Sequence, residues 1–382
     1  MAVLVTGGAG FIGSHVVDLL LDRGESVVVL DSLHEQVHPN GEWPDYLDER
    51  AVRVVGSVAD RDSIVEALSE AESNGDPIDR VIHLAARVGV GQSAYEIADY
   101  TEANATGTAV LLEVLAERGG IRRVITAGSM SCYGEGLYQW LGHGGQTRTA
   151  KGVIRSDEAL AEQRWDFVLP GWGSVSSARP IGTDESTRFV CTSVYAETKR
   201  IQEELTRLVC SQRGISWAVT RFFNVYGPRQ SVRNPYTGVA AIFSSQIESG
   251  RAPMIYEDGE QSRDFIEVSD VARAVVMLLD REDAIGAYNV GTGSRTSIRE
   301  LANALLRVYD REALGLDIRG MYRAGDIRHC FADVGRLSDL GWSSEVSLDD
   351  GLRRLAEWVS TTEVDDRTGR AHSELLDRGL VR

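Results

Sequence analysis

The chain opens on a short apolar run, "AVLVT" (2–6), and then places glycines at 7, 10 and 13. Beyond them Ile12, Val16, Leu19 and Leu20 recur at helical spacing as far as Gly24, and a second apolar run, Val27 to Leu30, ends in Asp31. Continuous apolar runs of this length predict strands buried on both faces, and the 3.6-residue period predicts a helix between them. The alternation continues. Strands are expected over 51–55, 80–86 and 122–129, and over 215–227 a strand running into a loop; helices are expected over 62–72, over 94–118 and through "RIQEELTRLVC" (200–210), where Ile201, Leu205 and Leu208 share a face. Repeated strand–helix units imply an α/β fold, a doubly wound parallel sheet of Rossmann type, with ligands at the carboxyl ends of its strands. The expected organisation is a Rossmann region over 1–220, a smaller mixed α/β region over 221–359 with the chain free to cross between them, and a tail over 360–382.

Two stretches break the pattern. Residues 137–183 are rich in Gly and Trp with weak periodicity, and are expected to be largely loop with one short helix near 156–163. Residues 360–382 are polar and charged, a linker ending in a short helix that is either disordered or packed on a partner subunit.

Composition narrows the function. The formal charge of −17 over 382 residues argues against nucleic acid or an anionic membrane as partner. An anionic substrate remains open, since a local group of arginines can hold phosphate on an acidic protein. No apolar run approaches the ~20 residues needed to cross a bilayer, and the first residues read as a core strand, not a signal peptide. Cys132, Cys191, Cys210 and Cys330 are scattered without metal-like spacing, which suits reduced thiols in a cytoplasm, and no metal site is expected.

The first turn carries the first chemistry. Glycines between a strand and a helix let the backbone approach a pyrophosphate, and the helix N-terminus favours its charge. Asp31, at the end of the second strand, accepts from ribose hydroxyls and repels a 2′-phosphate, which favours NAD over NADP. A second pattern is "YAETK" (195–199), with Tyr195 and Lys199 one turn apart on one helical face. On any amphipathic helix such a pair is ordinarily a solvated lysine lying over a ring.

Their company changes that reading. "TGGAGFIG" (6–13), "HLAA" (83–86), "NATGT" (104–108), "GSMSCYG" (128–134), "YAETK", "RFFNVYGPRQ" (221–230), "RDFIEVSDVARA" (263–274) and "RAGDIRHCFAD" (323–333) occur in this order. Over roughly 1–136 and 184–345 the chain resembles the extended short-chain dehydrogenase/reductase family, particularly its nucleotide-sugar epimerases and dehydratases. The resemblance implies that Tyr195 is the acid/base, Lys199 its partner, and Ser129 the hydroxyl that steadies charge on the reacting oxygen. A tyrosine with a pKa near 10 is a poor base at neutral pH, and a lysine cation beside a positive nicotinamide is expected to lower it.

By the same resemblance NAD lies along Gly7, Gly10, Phe11, Ile12 and Gly13. Asp31 and Ser32 hold its ribose. Ser57 and Val58 face the adenine, where the family commonly has an aspartate in place of Ser57. Leu84, Ala85, Ala86 and Asn104 complete the cofactor site, with Lys199 on the nicotinamide ribose and Phe222 near the ring. A nucleotide-diphosphate sugar is implied against Ser131, Asn224, Arg229, Arg263, Arg323 and Asp326, arginine suiting phosphate through its planar fork. The 4,6-dehydratases carry Asp–Glu just after the catalytic hydroxyl; here Met130 and Ser131 stand there. Elimination of water is therefore not expected. Oxidation and re-reduction at sugar C4 remains, either as epimerisation or, with free exchange of NAD, as a dehydrogenase or ketoreductase. A non-catalytic dinucleotide sensor would have no need of the three catalytic residues together. A homodimer is implied, through the helix after Asn104 and the helix of Tyr195. The 137–183 insert resembles that of dTDP-L-rhamnose 4-epimerases, with Trp140, Leu169 and Trp172 where paired cysteines fall in that subgroup; it is either a lid over the substrate or a subunit contact.

Overall fold

The computed structural model describes every residue except 142–145, 167–177, 233, 235–237, 324, 363–373 and 375. The predicted alternation is present: β1 (Ala2–Thr6), α1 (Phe11–Asp22), β2 (Ser26–Asp31), β3 (Val52–Val55), α2 (Arg61–Ser73) and β4 (Ile78–His83). Then come α3 (Ile97–Tyr100), α4 (Gly107–Arg118) and β5 (Arg123–Ser129). The insert contributes β6 (Leu137–Leu141), β7 (Thr147–Lys151), α5 (Asp157–Ala161) and β8 (Arg179–Ile181). The chain returns through α6 (Val194–Arg213) and β9 (Ser216–Phe222).

The second region holds β10 (Asn224–Tyr226), α7 (Val239–Glu248), β11 (Met254–Ile255), β12 (Ser262–Arg263) and β13 (Phe265–Glu267). It ends with α8 (Val268–Asp280), β14 (Gly286–Val290), β15 (Thr296–Ser297), α9 (Ile298–Val308), β16 (Asp317–Ile318), α10 (Gly335–Ser338) and α11 (Leu348–Thr361).

Seven strands form one parallel sheet in the order β14-β9-β5-β4-β1-β2-β3. The order reverses between β1 and β4, and that switch point opens the crevice where doubly wound sheets bind ligands. Side chains along β1 and β2 alternate between two cores. Val3, Val5, Val27 and Val29 pack with α1 and α8 residues such as Val16, Leu20, Val271 and Val275. Leu4, Val28 and Leu30 pack with Ile64, Leu68, Leu111 and Leu115 of α2 and α4. A third core, around Phe243, Leu301, Leu305, Leu352 and Leu355, belongs to the second region. The chain crosses between regions: α8 packs on α1, and β14 closes the large sheet beside β9.

Four expectations need correction. The strand expected over 80–86 ends at His83, so Leu84, Ala85 and Ala86 form the loop beyond it. The strand expected to run into a loop over 215–227 ends at Phe222, and in place of the loop β10 leaves the large sheet to pair with β13, after Phe223 N–H bonds the Val290 carbonyl. The continuous helix expected over 94–118 is interrupted by a π-helical turn over Thr101–Thr106. Asn104 accounts for it, since its amide accepts from Arg87 N–H (2.7 Å) and donates to the Arg87 carbonyl and Thr198 Oγ1. Such bulges release helix geometry to place a side chain. Finally, the described residues of the insert are not largely loop. β6 pairs antiparallel with both β7 and β8, although its short helix lies where expected. Leu169 and Trp172 lie outside the described residues; Trp140 is buried.

Beneath the switch point lies a buried polar knot. His83 Nδ1 meets Thr6 Oγ1 at 2.7 Å, and Nε2 meets Thr108 Oγ1 at 2.8 Å and Gln202 Nε2 at 3.2 Å. It joins β1, β4, α4 and α6. Burial lowers the His83 pKa to about 3, with the Lys199 charge acting the same way. Unfolded histidine takes up a proton below about pH 6.5 while folded His83 does not until about pH 3, so stability is lost as pH falls through that window. In urea melts from pH 7 to pH 4, His83→Asn is expected to lose stability less steeply than wild type, by up to about 1.4 kcal/mol per pH unit. Equal slopes would show that His83 does not titrate this way.

Candidate active site

The carboxyl ends of these strands open onto one cavity of about 1020 Å³. It is lined by Gly7, Gly10 and Phe11–Gly13, by Asp31 and Ser32, by Ser57 and Val58, and by Leu84–Ala86. Ser129, Ser131, Tyr195, Lys199, Phe222, Asn224, Arg263, Arg323 and Asp326 line it as well. Two predicted residues do not. Asn104 is fully buried behind the wall, with its amide committed to Arg87 and Thr198. Arg229 turns away: its guanidinium pairs with Asp18 of α1 at 2.7 Å and lies over the Tyr46 ring.

The catalytic candidates sit where β5 ends and α6 begins. Ser193 caps α6, accepting from Ala196 N–H at 3.1 Å, and this starts the helix two residues before Tyr195. Tyr195 N–H bonds Ser93 Oγ at 3.1 Å, and its ring meets Tyr100 edge-on. One turn on, Lys199 is buried and donates to the Ala127 carbonyl at 2.9 Å, which ties the helix to β5. Ser129 ends that strand, its Oγ 2.9 Å from Ser131 Oγ. Burial lowers the Lys199 pKa to about 8 and raises that of Tyr195 to about 12, with the Ser129 hydroxyl pulling the phenol the other way. The lowering expected of the tyrosine is tied to a positive nicotinamide beside it as well as to the lysine. The ammonium is held on Ala127, and desolvation is the larger influence on the phenol.

At the other end the glycines are required by contact. Gly7 has φ +72, and a Cβ there would stand 2.7 Å from Ala85 N. A Cβ on Gly13 would stand 2.1 Å from the Gly7 carbonyl. The α1 N-terminus carries no side-chain cap, so its first turn faces the cavity with its positive dipole end uncovered. Asp31 accepts from Ala9 N–H and Leu33 N–H, both at 3.0 Å, which fixes the glycine turn against the end of β2.

The sequence matches the NAD dependent epimerase/dehydratase family over residues 3–150 and 172–291, well over half of the chain. The chain belongs to that family. A dTDP-L-rhamnose 4-epimerase from Burkholderia thailandensis is 34% identical over 94% of both chains. Among solved structures, a UDP-glucose 4-epimerase from Thermotoga maritima with UDP-glucose superposes with a TM-score of 0.75 at 28% identity, covering 94% of this chain and 99% of that one. A Thermus thermophilus UDP-glucose 4-epimerase in complex with NAD gives 0.73 at 27% identity, with coverage of 94% and 99%.

NAD is the cofactor of this epimerase/dehydratase, and the residues fit it: a backbone cradle that a Cβ would fill, a helix N-terminus, and a carboxylate at the ribose position. Ser57 lines the adenine side, its Oγ accepting from Ala59 N–H at 3.1 Å. Among the described residues no group of three or more side chains could hold a metal ion; His34, four residues before His38, contacts Arg87, and His38 lies beside Asp31.

The remaining end of the cavity contains residues that sequence reasoning missed: Gln230, Gln246, Tyr256, Gln261 and Leu380. Asn224 Oδ1, Gln230 Oε1, Gln261 Oε1 and Arg323 Nε are buried without a hydrogen-bond partner, a pattern a polar ligand would complete. Arg323 lies 4.6 Å over the Tyr256 ring, and Arg263 donates to the Ile327 carbonyl at 2.6 Å and to Asp326.

Behind this wall the insert is bound in by charge. Arg155 and Glu257, each 1% exposed, form a two-pronged pair at 2.8 Å, and Arg155 also donates to the Asp326 carbonyl. Arg328 bridges Glu257, Asp258 and Asp166. Glu135 accepts from Arg328 N–H and His329 N–H. Residues 151–171, unmatched by the family, supply Arg155 and Asp166. Charged residues are no denser in the insert than in the chain as a whole, so nothing in its composition signals this network.

Asp31→Ala is expected to raise the NAD dissociation constant by about 10- to 100-fold, as for loss of a charged hydrogen bond, and to narrow discrimination against NADP. Fluorescence titration with each dinucleotide checks it; unchanged NAD affinity would contradict the assignment. Arg155→Met is expected to destabilise the protein by about 3 kcal/mol, since buried Glu257 loses its two-pronged partner and keeps only the 3.2 Å contact with Arg328, and the double variant with Glu257→Gln should recover part of that loss in denaturant melts.

Proposed function

We propose that this chain is an NAD-dependent nucleotide-sugar 4-epimerase. The observation that carries the reading is the pair after Ser129. Met130 and Ser131 are buried in the cavity wall, and the Ser131 hydroxyl is bonded to Ser129. Elimination or decarboxylation needs a carboxylate that handles protons on neighbouring carbons. The described carboxylates lining the cavity are Asp31, Asp99, Glu102 and Asp326. Asp31 holds the glycine turn, Asp326 lies on the Arg263 loop, and Asp99 and Glu102 are exposed. None stands in sequence beside Ser129.

Bound NAD supplies a hydride acceptor that can return the hydride, and a positive nicotinamide ring. Tyr195 takes the proton of the sugar hydroxyl and later gives it back. Ser129 donates to the reacting oxygen and steadies its charge, and Lys199 adds the positive charge that favours the phenolate. Phe222, paired in register with Ser129 across β5 and β9, walls the same end. Asn224, Arg263 and Arg323 take the nucleotide diphosphate. The relative with 34% identity supports a dTDP-6-deoxyhexose such as dTDP-L-rhamnose as first substrate, ahead of the UDP-sugar epimerases at 29% and below. A homodimer through α4 and α6, which pack on each other, fits this reading.

NMR of the protein with dTDP-L-rhamnose, UDP-glucose, UDP-glucuronate and UDP-N-acetylglucosamine, with NADH absorbance followed in parallel, tests it. Inversion at C4 without NADH build-up is expected. Stoichiometric NADH with a keto product would replace it with a dehydrogenase. Tyr195→Phe should lower kcat by about 10²- to 10⁴-fold with little change in KM, as removal of an acid/base acting in the transition state does.

A further inference from the structure

The C-terminal residues reach the substrate end of the cavity. A helical turn ends at Gly379, whose N–H bonds the Leu376 carbonyl and whose φ of +68 reverses the chain. The segment then runs antiparallel beside the loop that carries Arg323. Tyr322 N–H bonds the Arg382 carbonyl at 2.9 Å, and Arg382 N–H bonds the Tyr322 carbonyl at 3.0 Å. Val381 is buried, and Leu380 faces the cavity. Two further contacts fix this segment. The Arg382 guanidinium pairs with Asp157 in α5 of the insert, and Arg378 lies 4.0 Å over the Tyr95 ring. Tyr95 is two residues from Ser93, which holds the Tyr195 backbone.

We propose that residues 378–382 form a latch over the substrate, and that Leu380 is a substrate-contacting residue that the family motifs do not include. The assignment rests on the nucleotide-sugar reading above. Each anchor lies on a different part of the site: Tyr95 on the catalytic side, Tyr322 beside the phosphate arginine, and Asp157 in the insert. A segment held at all three spans the cavity mouth, and its one side chain turned inward is apolar. That side chain excludes water from the bound nucleotide sugar and offers it a carbon surface. Among the described residues, no hydrogen bond, ion pair or ring contact joins this segment to the dinucleotide end at Gly7 to Asp31.

The latch separates substrate binding from cofactor binding, and this can be measured. Two variants serve, a chain ending at residue 373 and the full chain with Leu380→Ala, each studied with NAD bound. Calorimetry with dTDP-L-rhamnose and with dTDP, fluorescence titration with NAD, and thermal melts are the readouts. The truncated chain is expected to bind dTDP-L-rhamnose at least 10-fold more weakly and Leu380→Ala about 3- to 10-fold more weakly, with NAD affinity unchanged and the melting temperature within about 3 °C of wild type. Unchanged affinity for dTDP-L-rhamnose in both variants overturns the latch. So does a parallel loss of NAD affinity and thermal stability, which would make the segment a general brace. If the full chain binds neither dTDP-L-rhamnose nor dTDP while holding NAD, the nucleotide-sugar reading fails first and the latch with it.

Discussion

A lysine ammonium buried without a carboxylate is the constraint on which the site depends. Lys199 rests on the Ala127 carbonyl, inside the layer between α6 and the large sheet. Desolvating that charge is unfavourable, and its lowered pKa records the penalty. The arrangement persists because α6 is fixed at both neighbours: Ser93 holds the Tyr195 backbone, and Asn104 holds Thr198 from the π-helical turn. The same packing that strains the lysine leaves the Tyr195 phenol reluctant to ionise until more positive charge arrives. A positive charge bound beside Tyr195 would ease that ionisation.

The scaffold serves that end. A parallel sheet whose order reverses between β1 and β4 brings the glycine turn, the Asp31 carboxylate and the loop after His83 to one crevice. His83 and its threonine and glutamine partners stitch the strands below that crevice to the two helices that border it. The glycine turn and the Tyr195–Lys199 pair thus share one rigid base, and the rest of the cavity wall is built separately from the second region and the insert.

Local patterns carried most of the fold into the sequence. Apolar runs, helical periods and the glycine spacing are each set by a few neighbouring residues, and each marked its element to within a few positions. What escaped depended on distant partners. Arg229 stands among phosphate-site residues in sequence, but Asp18, far away in the chain, draws it to the opposite side. Asn104 looked like a ligand contact because its motif borders the cavity; its amide is saturated by Arg87 and Thr198. The strands of the insert are short, and β7 reads "TRTAK", with no apolar alternation to announce it. Leu380 was missed because "ELLDRGLVR" (374–382) is too short a run to show which of its apolar residues faces a cavity.

The buried arginines behind the cavity wall also tie separate stretches of the chain together. Arg155 and Arg328 are neutralised by carboxylates drawn from the insert, from the Glu257 turn and from Asp258, while Arg382 draws on Asp157. A recombinant in which only residues 137–183 came from another member of the family would take Arg155 from Glu257 and leave that buried carboxylate with Arg328 alone. The charge balance behind the cavity wall is therefore set jointly by the insert, the 257–258 turn and Arg328.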